Sequence, residues 1–122
     1  MEAVYKSRSY QDLDIWKLSI GFVKQIYQLT QKFPKTEIYG LTNQIRRAAI
    51  SIPSNIAEGQ GRNSAREFRQ FLAIALGSIA EVETQLIIAR EIAYLTQEEL
   101  VTLLATLDRM RKMAKGLAKS IK

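Results

Sequence analysis

The sequence predicts an all-α protein, an antiparallel up-down-up-down four-helix bundle. Three observations lead there. The 122 residues hold two Pro and six Gly, so long stretches run without a breaker. Within those stretches apolar residues recur at steps of three and four rather than two, which is the helical period. Connections of roughly three to six residues then force neighbouring helices to run antiparallel. The length fits a single domain over residues 1–122.

The first helix is expected over about residues 10–33. Ile15, Leu18, Phe22, Ile26, Leu29 and Phe33 lie on one stripe, flanked by Trp16, Val23 and Tyr27, and Pro34 stops it. The second is expected over about 38–60, with Leu41, Ile45, Ala48, Ile52 and Ile56 on one face. Gly59 and Gly61 supply the backbone freedom that helix ends use. Pro53 removes a backbone donor and clashes with the preceding turn, so a kink or break is expected near Ile50. The third, about 65–93, opens on Ser64 and Glu67, which read as a reciprocal capping box. Phe68, Leu72, Ala75, Ile79, Val82, Leu86, Ala89 and Ala93 form its core stripe, alternating steps of four and three as in bundles crossed at about 20°. The fourth, about 97–120, opens on a second box, Thr96 with Glu99, and keeps Leu100, Leu103, Leu104, Leu107, Met110, Ala114, Leu117 and Ile121 inward.

Composition removes whole classes of chemistry. With no Cys and no His, the chain lacks the ligands for a structural zinc, a haem or an iron–sulfur cluster, and the commonest nucleophile–base pairs. It carries no E-x-x-H di-metal motif and no G-x-x-x-x-G-K-[ST] loop. No cofactor and no metal are expected. Glu58 and Glu81 are carboxylates that burial could shift, yet nothing supplies the second half of a mechanism, and a non-enzymatic protein is expected. The first residues show no apolar run of the signal-peptide kind, and the charge-free run 71–80 is half the length of a membrane span. A cytoplasmic location without a membrane partner is expected.

The charge of +6 is unevenly placed. Residues 1–108 balance, whereas Arg109, Arg111, Lys112, Lys115, Lys119 and Lys122 stand at the end with no acid among them. Cations near a helix C-terminus complement its dipole, but that effect fades within a turn. The row reads either as a solvated face or as a footprint for phosphates, those of nucleic acid or of an acidic membrane surface, or for another acidic partner. Arg62, Arg66 and Arg69 gather where the third helix begins and its N–H groups favour anions; they read either as a second anion patch or as an exposed arginine patch pairing with Glu67. Aromatic content is low and most rings belong to the core, so base stacking is left to Tyr5, Tyr10, Tyr39 and Tyr94.

Two helices carry more apolar perimeter than one bundle can hide. On the third, Ala73, Gly77, Ala80, Thr84 and Ile88 lie opposite the core stripe. On the second, Ala49, Ile50, Pro53 and Ala57 point away from Leu41, Ile45 and Ile52. Faces of small apolar residues admit another helix, so a homo-oligomer is expected through Ala49, Ile50, Pro53, Ala57, Ala73, Gly77 and Ala80. Beside the stripes, Gln44, Arg47, Ser51, Asn55 and Glu58 match a shorter row of Ser78, Glu81 and Gln85. If the rows meet, Arg47 pairs with Glu58 or Glu81 in a structural polar network that sets register.

Several segments taken together carry a family resemblance. Tyr10-Gln-Asp-Leu13 with Trp16, Phe33-Pro-Lys35, Tyr39-Gly-Leu41, Gln44-Ile-Arg-Arg-Ala48, Ser51-Ile-Pro53, Asn55-Ile-Ala-Glu-Gly59, Glu67-Phe68, Phe71-Leu72 and Gly77-Ser78 occur in this order. The chain thus resembles, over about residues 5–95, the 23S rRNA intervening-sequence protein family. That family is similar to Avd, the accessory variability determinant of diversity-generating retroelements. The resemblance implies a small basic four-helix bundle in a pentameric ring. It also implies nucleic-acid binding or, in the Avd-like alternative, service as an adaptor that docks an acidic partner such as a reverse transcriptase. Together the residues and the resemblance lead to the expectation of an oligomeric RNA-binding protein contacting phosphates through Arg109, Arg111, Lys112, Lys115 and Lys119, with Arg62, Arg66 and Arg69 as a second patch.

Overall fold

The computed structural model describes residues 9–121, which form four α-helices and no strand. These are α1 (Asp14–Thr30), α2 (Leu41–Gln60), α3 (Ala65–Glu91) and α4 (Gln97–Ser120), with single 3-10 turns at Tyr10–Asp12 and Lys35–Glu37. α2 and α3 share the most extensive contact, α1 lies on α2, α4 lies on α3, and α4 touches α1 most sparingly. Phe22 and Ile26, Ile45, Ile52 and Ile56, Leu72, Ile79 and Leu86, and Leu107 and Met110 all bury fully between them. Each such side chain removed from water is worth about 1.5–3 kcal/mol.

The helix ends differ from the expected ones for local reasons. α1 starts at Asp14 because the Ser9 hydroxyl accepts from Gln11 N–H and closes a separate 3-10 turn, after which Leu13 is extended. It ends at Thr30, three residues early. Pro34 holds the residue before it out of the helical region, and Phe33 N–H bonds back to the Thr30 carbonyl in a tighter turn that still buries the Phe33 ring. α2 starts at Leu41 rather than 38. Its first N–H donates to the carboxylate of Glu37, 3.0 Å away, across a Gly40 whose Cβ, if it had one, would fall 2.6 Å from that carboxylate.

Pro53 neither breaks nor interrupts α2, which runs through to Gln60. Its ring is buried, and the Ser51 and Ser54 hydroxyls donate to the carbonyls of Ala48 and Ile50, on either side of the Ala49 carbonyl that Pro53 leaves without its usual donor. Gly59 and Gly61 are not in the left-handed region either: the described glycines have no positive φ, and Gly61 caps α2 at φ −76°. Gly59 is buried in a close crossing with α3.

α3 opens on half a capping box. Ser64 Oγ accepts from Glu67 N–H at 3.0 Å, but the Glu67 carboxylate accepts from the Ser64 hydroxyl at 3.4 Å and lies 3.9 Å from Arg62 instead of reaching the Ser64 N–H. At Thr96 and Glu99 both halves are present. α3 closes at Glu91, and Ala93 lies exposed beyond it rather than in the core, at φ 65°. Tyr94 N–H reaches the Ala89 carbonyl at 2.8 Å and Ala93 N–H the Arg90 carbonyl at 3.0 Å, the paired bonds of a Schellman ending. The position normally belongs to glycine, since a Cβ there costs about 1 kcal/mol. Ala93→Gly therefore raises stability by about 0.5–1 kcal/mol, after allowing for the looser unfolded chain. A urea melt with a higher midpoint and unchanged slope is the expected result, and a lower midpoint contradicts it.

Candidate nucleic-acid interface

The cationic end of α4 divides by face. Lys112, Lys115 and Lys119 fall within about 60° of one another on the outer side of the helix, and all are exposed. Lys112 reaches Asp108 at 3.2 Å with its side chain 78% exposed, a pairing that water makes nearly worthless. Lys115 and Lys119 make no ion pair among the described residues. Arg111 belongs elsewhere: it pairs with Glu83 of α3 and, at 3.2 Å, with Asp108, clamping α4 to α3. Arg109 is exposed about 160° around the helix from Arg111. Lys122 lies outside the described residues.

At the start of α3, two of the three arginines are engaged within the fold. Arg62 pairs with Glu58 at 3.0 Å, approaches Glu67 at 3.9 Å and lies 5.0 Å over the Phe71 ring. Arg69 donates to the Ile121 carbonyl at 3.0 Å, which seats the last turn of α4 against the first turns of α3. The two cationic groups read separately in the sequence thus share one end of the bundle. Arg66 is exposed there, with no ion pair among the described residues.

The two polar rows do meet, though not as paired charges. Ser51 Oγ bonds to Ser78 Oγ across the α2 and α3 contact, and Asn55 donates to the Ser51 carbonyl at 2.7 Å. Gln44, Arg47 and Glu81 line the same groove without a salt bridge, and Glu58 turns to Arg62 instead. Gln85 is buried with its Oε1 unpartnered. Counted along the helices from the Ser51 to Ser78 contact, Glu58 and Glu81 stand about 15 Å apart, too far to act on one bond. No cluster of three metal-ligating side chains occurs among the described residues.

The surplus apolar face is on α3. Ala73, Gly77, Ala80 and Thr84 are exposed, as are Ile74 (51%), Ile87 (41%) and Ile88 (45%). A window of 18 residues in α3 reaches a mean hydropathy of 1.6, so by length and composition alone this helix could cross a membrane; the charge-free run of ten understated it. α2 contributes less than expected. Ile50 is 40% exposed and Ala57 half-buried, but Ala49 and Pro53 are buried inside the bundle. Both face the α1 or α3 side of a helix packed on two flanks, which a wheel drawn for one partner misassigns.

A family model, 23S rRNA-intervening sequence protein, matches residues 11–116. The chain belongs to that family. A solved relative in fold is a crystal structure of a protein with unknown function from the S23 ribosomal protein family of Bacteroides thetaiotaomicron VPI-5482. It superposes with a TM-score of 0.79 at 23% identity, covering 87% of this chain and 96% of that one. No curated protein matches the chain.

In this 23S rRNA-intervening sequence family member the expected tyrosine platforms reduce to one among the described residues. Tyr10 packs edge-on against Trp16 and Tyr94 against Phe33, and Tyr5 lies outside the described residues. Tyr39 is 92% exposed. Sequence reading gave Arg46 no role beyond its place in the family segment Gln44–Ala48, because its partner, the Tyr27 ring 4.4 Å below its guanidinium, belongs to another helix.

Tyr94 instead donates to Glu37 at 2.8 Å, tying the turn before α2 to the turn before α4. The Leu41 N–H and the Tyr94 hydroxyl hold the Glu37 carboxyl below the usual carboxylate range, and Glu37 holds the Tyr94 hydroxyl above the usual phenol range. Lys32 and the Thr96 N–H lower the Glu99 carboxyl likewise. A depressed carboxyl adds stability above its unfolded pKa and loses it as pH falls through the folded value. A raised phenol adds stability below its unfolded pKa and loses it as pH rises through the folded value. Thermal stability is therefore expected to form a plateau between about pH 5 and 9. Tyr94→Phe flattens the alkaline decline, and a decline unchanged in that variant assigns it to other groups.

Proposed function

We propose that this protein is a non-enzymatic homo-oligomer of the cytoplasm that binds RNA through phosphate contacts, with Lys112, Lys115 and Lys119 as the principal contacts and Arg66 and Arg109 beside them. The observation that carries the reading is the outer face of α4, where three lysines project from a segment without an acid after Asp108. The family's own description, an rRNA intervening-sequence protein, accords with a polyanionic partner. Repetition of the face by symmetry multiplies a weak contact through effective concentration. The test is retention of structured RNA by the wild type and by a Lys112→Glu, Lys115→Glu, Lys119→Glu variant; equal retention removes the claim, and binding of an acidic protein in place of RNA turns it to the adaptor reading.

Assembly through the exposed face of α3, as a pentameric ring, belongs to the same proposal. A soluble subunit does not leave three isoleucines and a row of small residues in water without consequence. Gly77 makes the test clean. A Cβ placed there meets no atom within 4 Å in the subunit, so Gly77→Leu fits the fold while standing in the path of a partner helix. Light scattering is expected to show a pentameric mass for the wild type and a monomeric mass for Gly77→Leu. The same mass in both contradicts the face.

A further inference from the structure

The chain between α1 and α2 folds over a cleft of about 350 Å³ that the cationic end of α4 does not share. Thr30, Lys35, Thr42 and Arg46 line it together with the apolar Pro34 and Ile38. Two cations and no acid face this space. The nearby carboxylate, Glu37, is already held by Leu41 N–H and the Tyr94 hydroxyl, and neither Lys35 nor Arg46 forms an ion pair among the described residues.

Arg46 is fixed before any ligand arrives. Its Nε donates to Thr30 Oγ1 at 2.9 Å, Thr30 Oγ1 donates to the Ile26 carbonyl at 2.7 Å, and the guanidinium plane rests over Tyr27. This leaves the two terminal NH2 groups for an acceptor. A planar fork held in one rotamer loses little further freedom on binding an oxyanion. The cleft also has an apolar wall open to water: Pro34 and Ile38 line it, and Ile38 is 47% exposed. A cation pair serving only solubility has no use for such a wall. The size lies in the range of small-ligand sites.

The geometry points to a nucleotide site, with the phosphate taken by Arg46 and Lys35 and the base laid against Ile38 and Pro34. It does not rest on the α4 face. Lys32 bonded to Glu99 and Tyr94 bonded to Glu37 place this cleft at the end of the bundle where α4 begins, whereas Arg69 on Ile121 marks the other end. A free nucleotide and a nucleotide within a strand offer the same chemistry, so the experiment uses both. Uridine monophosphate and the dinucleotide UpU are titrated into the full-length protein labelled with nitrogen-15, and backbone amide shifts are followed. Saturable shifts confined to residues 30–46 are expected from at least one of the two, and the tighter one identifies the source. Arg46→Gln and Lys35→Gln each weaken that binding about tenfold or more, and Lys17→Gln, exposed at the other end of α1 and outside both proposed sites, leaves it unchanged. Lys35 is exposed and holds nothing in the fold, so its variant decides the matter if Arg46→Gln unfolds. Equal affinity for uridine or for inorganic phosphate, or binding indifferent to both substitutions, overturns the site.

Discussion

Gly59→Ala is expected to lower stability by about 1–2 kcal/mol, against the ordinary sign of the substitution. In a helix interior alanine is preferred to glycine by about 0.5–1 kcal/mol, because glycine loses more backbone freedom on folding. Here the added methyl falls 2.7 Å from Phe71 Cβ and 3.0 Å from Phe68 Cδ1, with the Phe68 carbonyl at 3.4 Å. The Phe68 ring can turn aside. Phe71 Cβ cannot, since it moves only with the backbone of α3. The methyl must push α2 and α3 apart at the end of their contact, the most extensive in the bundle, and overpacking of this kind costs about 1–3 kcal/mol, against which the helix preference for alanine returns only about 0.5–1 kcal/mol. At about 4–5 °C per kcal/mol for a chain of this size, the melting temperature drops by about 5–8 °C. Gly21→Ala is the control. No atom lies within 4 Å of a Cβ at Gly21, so that variant is expected to gain the usual half to one kcal/mol. A Gly59→Ala protein as stable as wild type would mean that the crossing of α2 and α3 is looser than described.

The role of Gly59 shows where the sequence stops being legible. Periodicity found all four helices and most members of each core stripe, because burial repeats with the pitch of the helix and leaves its mark at every turn. Gly59 carries no such mark. A glycine near the end of a helix reads as a stop signal, whereas its use here is to make room for two residues of the next helix. Pro53 reads as a break and Ala93 as core for a different reason: a breaker rule and a helical period do not register the neighbouring groups, the Ser51 and Ser54 hydroxyls at one and the Schellman bonds at the other.

Charge is legible in total and illegible in use. Arg62 has its acids within five positions, but Arg69 meets a carbonyl 52 positions away and Arg111 a carboxylate 28 positions away. Six cations near the end of a chain therefore announce a basic helix without saying which of them are free. Folding separates them, and what remains outward among the described residues is Arg109 and the row at 112, 115 and 119.

That separation determines how RNA binding should be attacked and how large the loss will be. Arg111→Glu would set a third acid beside Glu83 and Asp108 and pull α4 from α3, so lost binding could be lost structure. Lys112→Glu, Lys115→Glu and Lys119→Glu touch none of the interior, and only the weak Asp108 pairing is exchanged for a mild repulsion. Each lysine that neutralises a phosphate contributes about 0.7–0.9 to the slope of log affinity against log salt. Three lost contacts make the slope shallower by about 2, and at low salt three reversed charges reduce affinity about a hundredfold or more. The melting temperature should stay within a few degrees of wild type. A variant that loses affinity while keeping the wild-type slope has lost something other than phosphate contacts, and one that keeps both places the polyanion on another face, with exposed Arg66 and Arg109 the next residues to reverse.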